Sequence, residues 1–267
     1  MPVLKTATIF IFAILLYSCN NKEQKNKDTS IESQIIPSKK IELSKPQFIL
    51  NKTIVAHGGD LYNSAYYSFK FRGNTYHFKN NGTNYEYKKI VIKGDTIIED
   101  TLLNHIFSRT INGKAISLSK KEKVAGTGAI NSVIYFATLP HKLNDNAVNS
   151  KYIETTIINK DTYDVIEITF NKEGGGEDHN DEFYYWINKS SEKIDFLAYN
   201  YKVNKGGVRF RSAYNTRVID GITFQDYINY KAEIGTPLKD LPILYEAGKL
   251  KELSKIKTEN IINLNKN

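Results

Sequence analysis

Between Glu173 and Glu182 the chain reads Glu-Gly-Gly-Gly-Glu-Asp-His-Asn-Asp-Glu, its densest run of side chains able to bind a metal or move a proton. Glu177, Asp178, His179, Asp181 and Glu182 offer carboxylate oxygens and one imidazole, with Asp178, His179 and Asp181 the candidate metal ligands. The spacing matches neither an EF-hand nor His-Glu-x-x-His. The same residues also suit a solvated hairpin loop whose acids are kept out of a sheet. His57, just ahead of Gly58-Gly59, is a candidate acid–base partner for His179 and Asp181 if folding brings them together. A histidine at a helix end also suits a charged partner for the helix dipole. Arg209 and Arg211 alternate along one segment, so two guanidiniums share a strand face and form a fork for carboxylate or phosphate. Their structural alternative is pairing with Asp195 or Asp226 on neighbouring strands. Trp186 and Tyr184 are candidates for a ligand wall, although strand aromatics also fill cores and cross-strand pairs. No Gly-x-Ser-x-Gly, P-loop or cysteine nucleophile pattern occurs, so no cofactor is expected, and a metal only at the acidic loop.

These residues lie in a succession of short aromatic and β-branched segments. TYDVIEITF, EFYYWINK, KIDFLAYNYKV, GVRFRSAYNTRV and ITFQDYINY follow one another, separated by Asn159-Lys-Asp-Thr162, Asn188-Lys-Ser-Ser191, Asn204-Lys-Gly-Gly207 and Asp220-Gly221. Asn, Asp and Gly tolerate the positive φ of tight hairpin turns, and the flanking residues suit a pleated surface. Upstream, AYYSFKFRG, NTYHFKNNG, TNYEYKKIVIKGDTIIED and HIFSRTINGKAISL repeat the pattern. Pro46 to Val55 predicts a helix stopped by Gly58-Gly59, and Ser119 to Thr138 predicts one helix, or two split at Gly126 and Gly128. Asp240 to Leu250 reads as helical and Glu252 to Leu264 as a final strand. The segments carry apolar residues on both faces, which suits a curved sheet covered on both sides. The expected class is therefore mainly β, α+β in detail. It would be a curved antiparallel half-barrel of about ten strands, with an N-terminal and a mid-chain helix over its concave face. Strand following strand excludes the βαβ alternation of nucleotide-binding and TIM-barrel folds.

The N-terminus carries a different signal. Lys5 precedes an apolar run from Ala7 to Leu16, too short to span a bilayer but suited to a secretory signal. Leu16-Tyr17-Ser18-Cys19 then resembles a lipobox, which implies cleavage before Cys19 and acyl chains on its sulfur and new amino group. Cys19 is the only cysteine, so no disulfide forms within the chain. Asn20, rather than Asp, follows it, which in the enteric sorting scheme favours the outer membrane. Residues 19–45 are rich in Asn, Lys, Glu, Gln and Ser and read as a flexible tether. The expected organisation is a signal peptide at 1–18, a lipidated tether at 19–45 and one β-rich domain at 46–267. The formal charge of +8 is spread along the chain with no recognition helix, so nucleic acid is not expected and anionic headgroups suit it better.

AHGG at 56–59, NSVIYFATLP at 131–140, KLNDNAV at 142–148, the run from Glu173 to Asn188, IDFLAYNY at 194–201, GGVRFRSAYNTR at 206–217 and GITFQDYINYK at 221–231 carry a further likeness. Through them the chain resembles a family of uncharacterised gram-negative lipoproteins. Some members bear a deoxyribose-phosphate aldolase label, but that enzyme is a βα barrel with a Schiff-base lysine, which this strand succession cannot form. In architecture alone the chain is similar to the lipoprotein-carrier half-barrels that hold acyl chains. The resemblance implies an outer-membrane-anchored lipoprotein, on the periplasmic face or the cell surface, that meets the lipoprotein export machinery. The leading expectation is a non-enzymatic protein binding an apolar or amphipathic ligand, such as a lipid, in the half-barrel. The alternatives are a metal-dependent or acid–base hydrolase using Glu177–Glu182, and a structural or interaction module of the envelope.

Overall fold

The structure, a computed structural model, describes residues 43–171, 173, 181–202 and 205–266. Cys19 with its signal, residues 20–42 of the tether, Glu177, Asp178, His179 and Asn204 lie outside the described residues. At the first helix, α1 (Lys45–His57), the Gln47 side chain accepts the Ser44 N–H at 3.0 Å and Pro46 occupies the first turn. Gly58 ends it with φ +136°, and a Cβ there would lie 3.2 Å from the Gly221 carbonyl oxygen. The AHGG segment thus brings the helix end against a later hairpin turn.

A first meander follows: β1 (Tyr66–Phe71), β2 (Asn74–Asn81), β3 (Asn84–Lys93), β4 (Thr96–Leu103), β5 (Ile106–Ile111) and β6 (Lys114–Ala115). Then comes α2 (Lys120–Ala137), opened by Ser119 and Glu122, whose side chains each accept the other's backbone N–H. It is one unbroken helix. Gly126 does not split it but admits the Phe107 ring, whose Cζ would lie 2.2 Å from an added Cβ. The second meander is β7 (Val148–Ile158), β8 (Asp161–Phe170), β9 (Glu182–Asn188), β10 (Ile194–Tyr201), β11 (Gly207–Ile219) and β12 (Ile222–Ala232). The short α3 (Leu241–Glu246) leads to β13 (Lys251–Ile256) and β14 (Glu259–Asn263).

All pairings are antiparallel, in two seven-stranded sheets ordered β14-β1-β2-β3-β4-β5-β6 and β13-β12-β11-β10-β9-β8-β7. Among the described residues neither sheet closes: β14 and β6 are the edge strands of the first, β13 and β7 those of the second. β13 and β14, two residues apart, do not pair with each other but serve one sheet each. Asp226 holds that passage. Its Oδ1 accepts the Thr258 N–H at 3.0 Å and Arg217 Nη2 at 3.1 Å, while its Oδ2 accepts Asn215 Nδ2 at 2.7 Å.

The mainly β, open half-barrel class is as expected, but the strands number fourteen among the described residues rather than about ten. β7, not among the segments expected as strands, is an edge strand with about half its residues exposed. The expected last strand is divided between the sheets at Lys257–Thr258. On the inner faces α2 lies between the sheets. Ile130 and Ile134 pack on Phe69, Phe78, Leu102 and Phe107 of the first, whereas Tyr135 and Phe136 pack on the second. Leu50 of α1 joins Ile166, Ile187 and Tyr227 on that second sheet. Its opposite face is covered by Leu238 and Leu241 around α3, packed with Trp186, Phe196 and Phe210.

Candidate ligand site beneath the last turn of α2

Antiparallel register sets which candidate residues share a face. Arg209 pairs with Tyr199 and Arg211 with Leu197, while Leu197 pairs with Tyr185 and Tyr199 with Phe183 on the other side. Arg209, Arg211, Tyr199, Leu197, Tyr185 and Phe183 therefore all point toward α2. Tyr184 and Trp186, one residue out of step, point the opposite way. Trp186 is 1% exposed beneath the α3 segment, and the Tyr184 hydroxyl donates to Glu167 Oε2 at 3.4 Å. The four residues expected to line one ligand site thus divide between two faces of the sheet.

Arg211 occupies the inner face at only 7% exposure. Its guanidinium carbon lies 3.8 Å from the Phe136 ring centre and 5.2 Å from that of Tyr199, and its Nη2 donates to the Tyr199 hydroxyl at 2.8 Å. Its Nε is buried with no acceptor. Around it Phe183 lies 5.4 Å from Tyr199 and 5.6 Å from Phe170 between ring centres, with Tyr135 6.2 Å from Phe183. The Tyr135 and Tyr185 hydroxyls meet at 2.7 Å. Arg209 sits nearer the strand end, over the Tyr201 ring at 5.0 Å and bonded to its hydroxyl.

Neither expected acid partner pairs with these arginines. Asp195 accepts from Asn188 Nδ2 at 2.9 Å and the Tyr163 hydroxyl at 3.1 Å, and burial raises its pKa. Asp226 is taken by Arg217. Among the described residues the ion pairs leave Arg211 out, so the ordinary way of keeping a buried cation is not used here. The arrangement is a cation with a spare donor, walled by aromatic rings.

His57 does not reach the acidic end of the sheet. It is fully buried, and its Nε2 accepts the Ile194 N–H at 3.3 Å, next to where Ile194 pairs with Ile187. Asp181 precedes Glu182, which pairs with Asn200 at the far end of the same hairpin. From Asp181 to Ile187 the strand runs about 20 Å, so His57 and Asp181 do not converge. Nor is His57 the charged partner of the helix dipole. Burial, aided by Lys193, depresses its pKa to about 3, and it is neutral. Lys193 takes that role, its Nζ donating to the Ala56 carbonyl at 2.9 Å and to Thr223 Oγ1 at 2.8 Å.

Among the described residues no three His, Cys, Asp or Glu side chains come together to hold a metal, and no helix is long and apolar enough to cross a membrane. A cleft of about 120 Å³ lies between α1 and the β8–β9 end, lined by Phe48, Lys52, Asp164, Lys189 and Glu192 among others. It is below the roughly 300 Å³ at which small-molecule pockets begin. Sequence reasoning missed Tyr135, Phe136, Phe183 and Tyr199 as neighbours of the arginines. Hairpin register across Asn204-Lys-Gly-Gly207 was the signal that could have placed Tyr199; nothing local could place α2.

The chain belongs to a family of unknown function, DUF6503, whose model matches residues 5–258. No curated protein matches it. Among solved structures it is similar to a LolA-superfamily protein from Nitrosomonas europaea, at 12% identity over 82% of this chain and 93% of that one, with a TM-score of 0.42. A DUF1329 family protein from Desulfovibrio piger matches at 12% identity over 83% and 94%, with a TM-score of 0.39. An outer-membrane lipoprotein-sorting protein domain from Vibrio parahaemolyticus matches at 7% identity over 75% and 84%, with a TM-score of 0.32. None of the three supplies a residue role.

Proposed function

We propose that this protein is a non-enzymatic lipoprotein of the outer membrane, held by acyl chains on Cys19, that binds an amphipathic ligand between α2 and the second sheet. The observation that carries the reading is Arg211, a buried guanidinium with an unused Nε–H among aromatic rings. Apolar walls with a few placed polar groups are the pattern of small-molecule sites. Side chains of α1 and α2 fill the inner face, so a tail reaches it by lifting the last turn of α2, where Tyr135 and Phe136 cover Phe183 and Tyr199. Basic charge spread over the chain suits a position close to anionic headgroups.

The filled inner face also supports a second reading, an interaction module of the envelope with a closed core. Native mass spectrometry of protein purified from cell envelopes separates the two. The first reading expects a triacylated Cys19 at the N-terminus and a co-purifying apolar-tailed molecule. It also expects that added amphiphile speeds amide exchange in residues 130–137. Protein that arrives bare, binds no amphiphile and keeps that segment equally protected makes the interaction module the function. A free Cys19 thiol in the wild type removes the anchor.

A further inference from the structure

Resting on that reading, we infer that the ligand's polar end is a single carboxylate, seated on Arg211 and the paired hydroxyls of Tyr135 and Tyr185. Hydrogen-bond supply around Arg211 carries this inference. The two hydroxyls, 2.7 Å apart, share one hydrogen bond but hold two protons, so one O–H has no acceptor among the described residues whichever of them donates. Tyr185 and Arg211 face the same way from strands on either side of Leu197, which both oppose in register. That places them roughly 10 Å apart at the backbone, within reach of a common small group. Burial keeps both phenols protonated, and so donors.

The site thus has a surplus of donors: Arg211 Nε–H and one phenol O–H. A group that only accepts satisfies both. One buried cation balances one negative charge; Arg209 is turned to Tyr201 and the Val208 carbonyl and does not add a second. A phosphate monoester brings up to two charges and three tetrahedral oxygens. A carboxylate brings one charge and two oxygens in a plane, the shape that meets the edge of a guanidinium lying over the Phe136 ring. The ring wall of Phe170, Phe183 and Tyr199 then meets the apolar part of the molecule. The class is a long-chain carboxylate, either free or as the acidic end of a larger amphiphile.

The test titrates the whole tethered protein with three probes sharing one C18 tail: oleate, oleyl alcohol and oleoyl lysophosphatidate. Oleate should bind tightest. Arg211→Met should weaken oleate by about tenfold or more, the scale of a charged hydrogen bond lost, while binding of the alcohol changes little. Tyr135→Phe with Tyr185→Phe, which keeps the rings, should reduce oleate alone. Retained alcohol binding shows that each variant is folded. If lysophosphatidate binds tighter than oleate, or oleate and alcohol bind alike, the carboxylate is wrong and the amphiphile reading stands. If none of the three binds, the amphiphile reading falls and the inference with it.

Discussion

A neutral histidine and a charged lysine exchange the roles that their sequence positions suggest. His57 sits at the helix end, where a charged imidazole would oppose the dipole, yet burial holds it neutral as an acceptor for Ile194. Lys193 comes from a distant hairpin to meet the Ala56 carbonyl instead. His141, stacked on Tyr62 at 4.8 Å, is half-buried, and desolvation with Lys142 nearby lowers its pKa to about 4. Both folded values lie below the ordinary 6.5 of an exposed imidazole. The unfolded chain therefore takes up protons first, and stability present above pH 6.5 is lost as pH falls through about 4 and about 3. Urea midpoints measured from pH 7 to pH 4 should drop steeply for the wild type and less so for His57→Gln with His141→Gln. Parallel curves would show that these imidazoles are not the cause.

At the scale of elements, the two glycines of α2 are unlike. A Cβ at Gly126 meets the Phe107 ring at 2.2 Å, whereas one at Gly128 meets nothing within 4 Å. Gly126→Ala should cost about 1–3 kcal/mol through overpacking. Gly128→Ala should stabilise by about 0.5–1 kcal/mol, since alanine loses less entropy in a helix. Equilibrium unfolding of both variants checks the pair, and equal effects would mean that α2 does not lie against Phe107 as described. The two glycines were visible in the sequence as interruptions of one pattern. Their difference was not, because it depends on a ring carried by β5.

For the whole molecule, the passage of the chain from one sheet to the other rests on Asp226, which is 3% exposed and takes hydrogen bonds from Thr258, Arg217 and Asn215. Asp226→Ala leaves Arg217 without its acid and Thr258 without its acceptor. Breaking a buried pair on one side costs about 3–5 kcal/mol. The midpoint of chemical unfolding should fall accordingly, and a loss under about 1 kcal/mol would mean that water replaces the carboxylate, as at exposed pairs.

Local signals determined a good deal by themselves. Asn-Gly, Asp-Gly and Gly-Asn turns between aromatic runs specify antiparallel hairpins, and Pro46 with Gly58-Gly59 brackets α1, because turn and cap preferences act within a few residues. Arg209 and Arg211 share a face by strand alternation alone. Tertiary structure decided the rest. That Trp186 faces α3 while Arg211 faces α2 depends on which helix covers which side of the sheet. That His57 lies about 20 Å along the strand from Asp181 depends on which end of a hairpin a helix reaches. The rings around Arg211 come from β8, β9, β10 and α2, elements far apart in the chain, and no pattern within a dozen residues encodes their meeting.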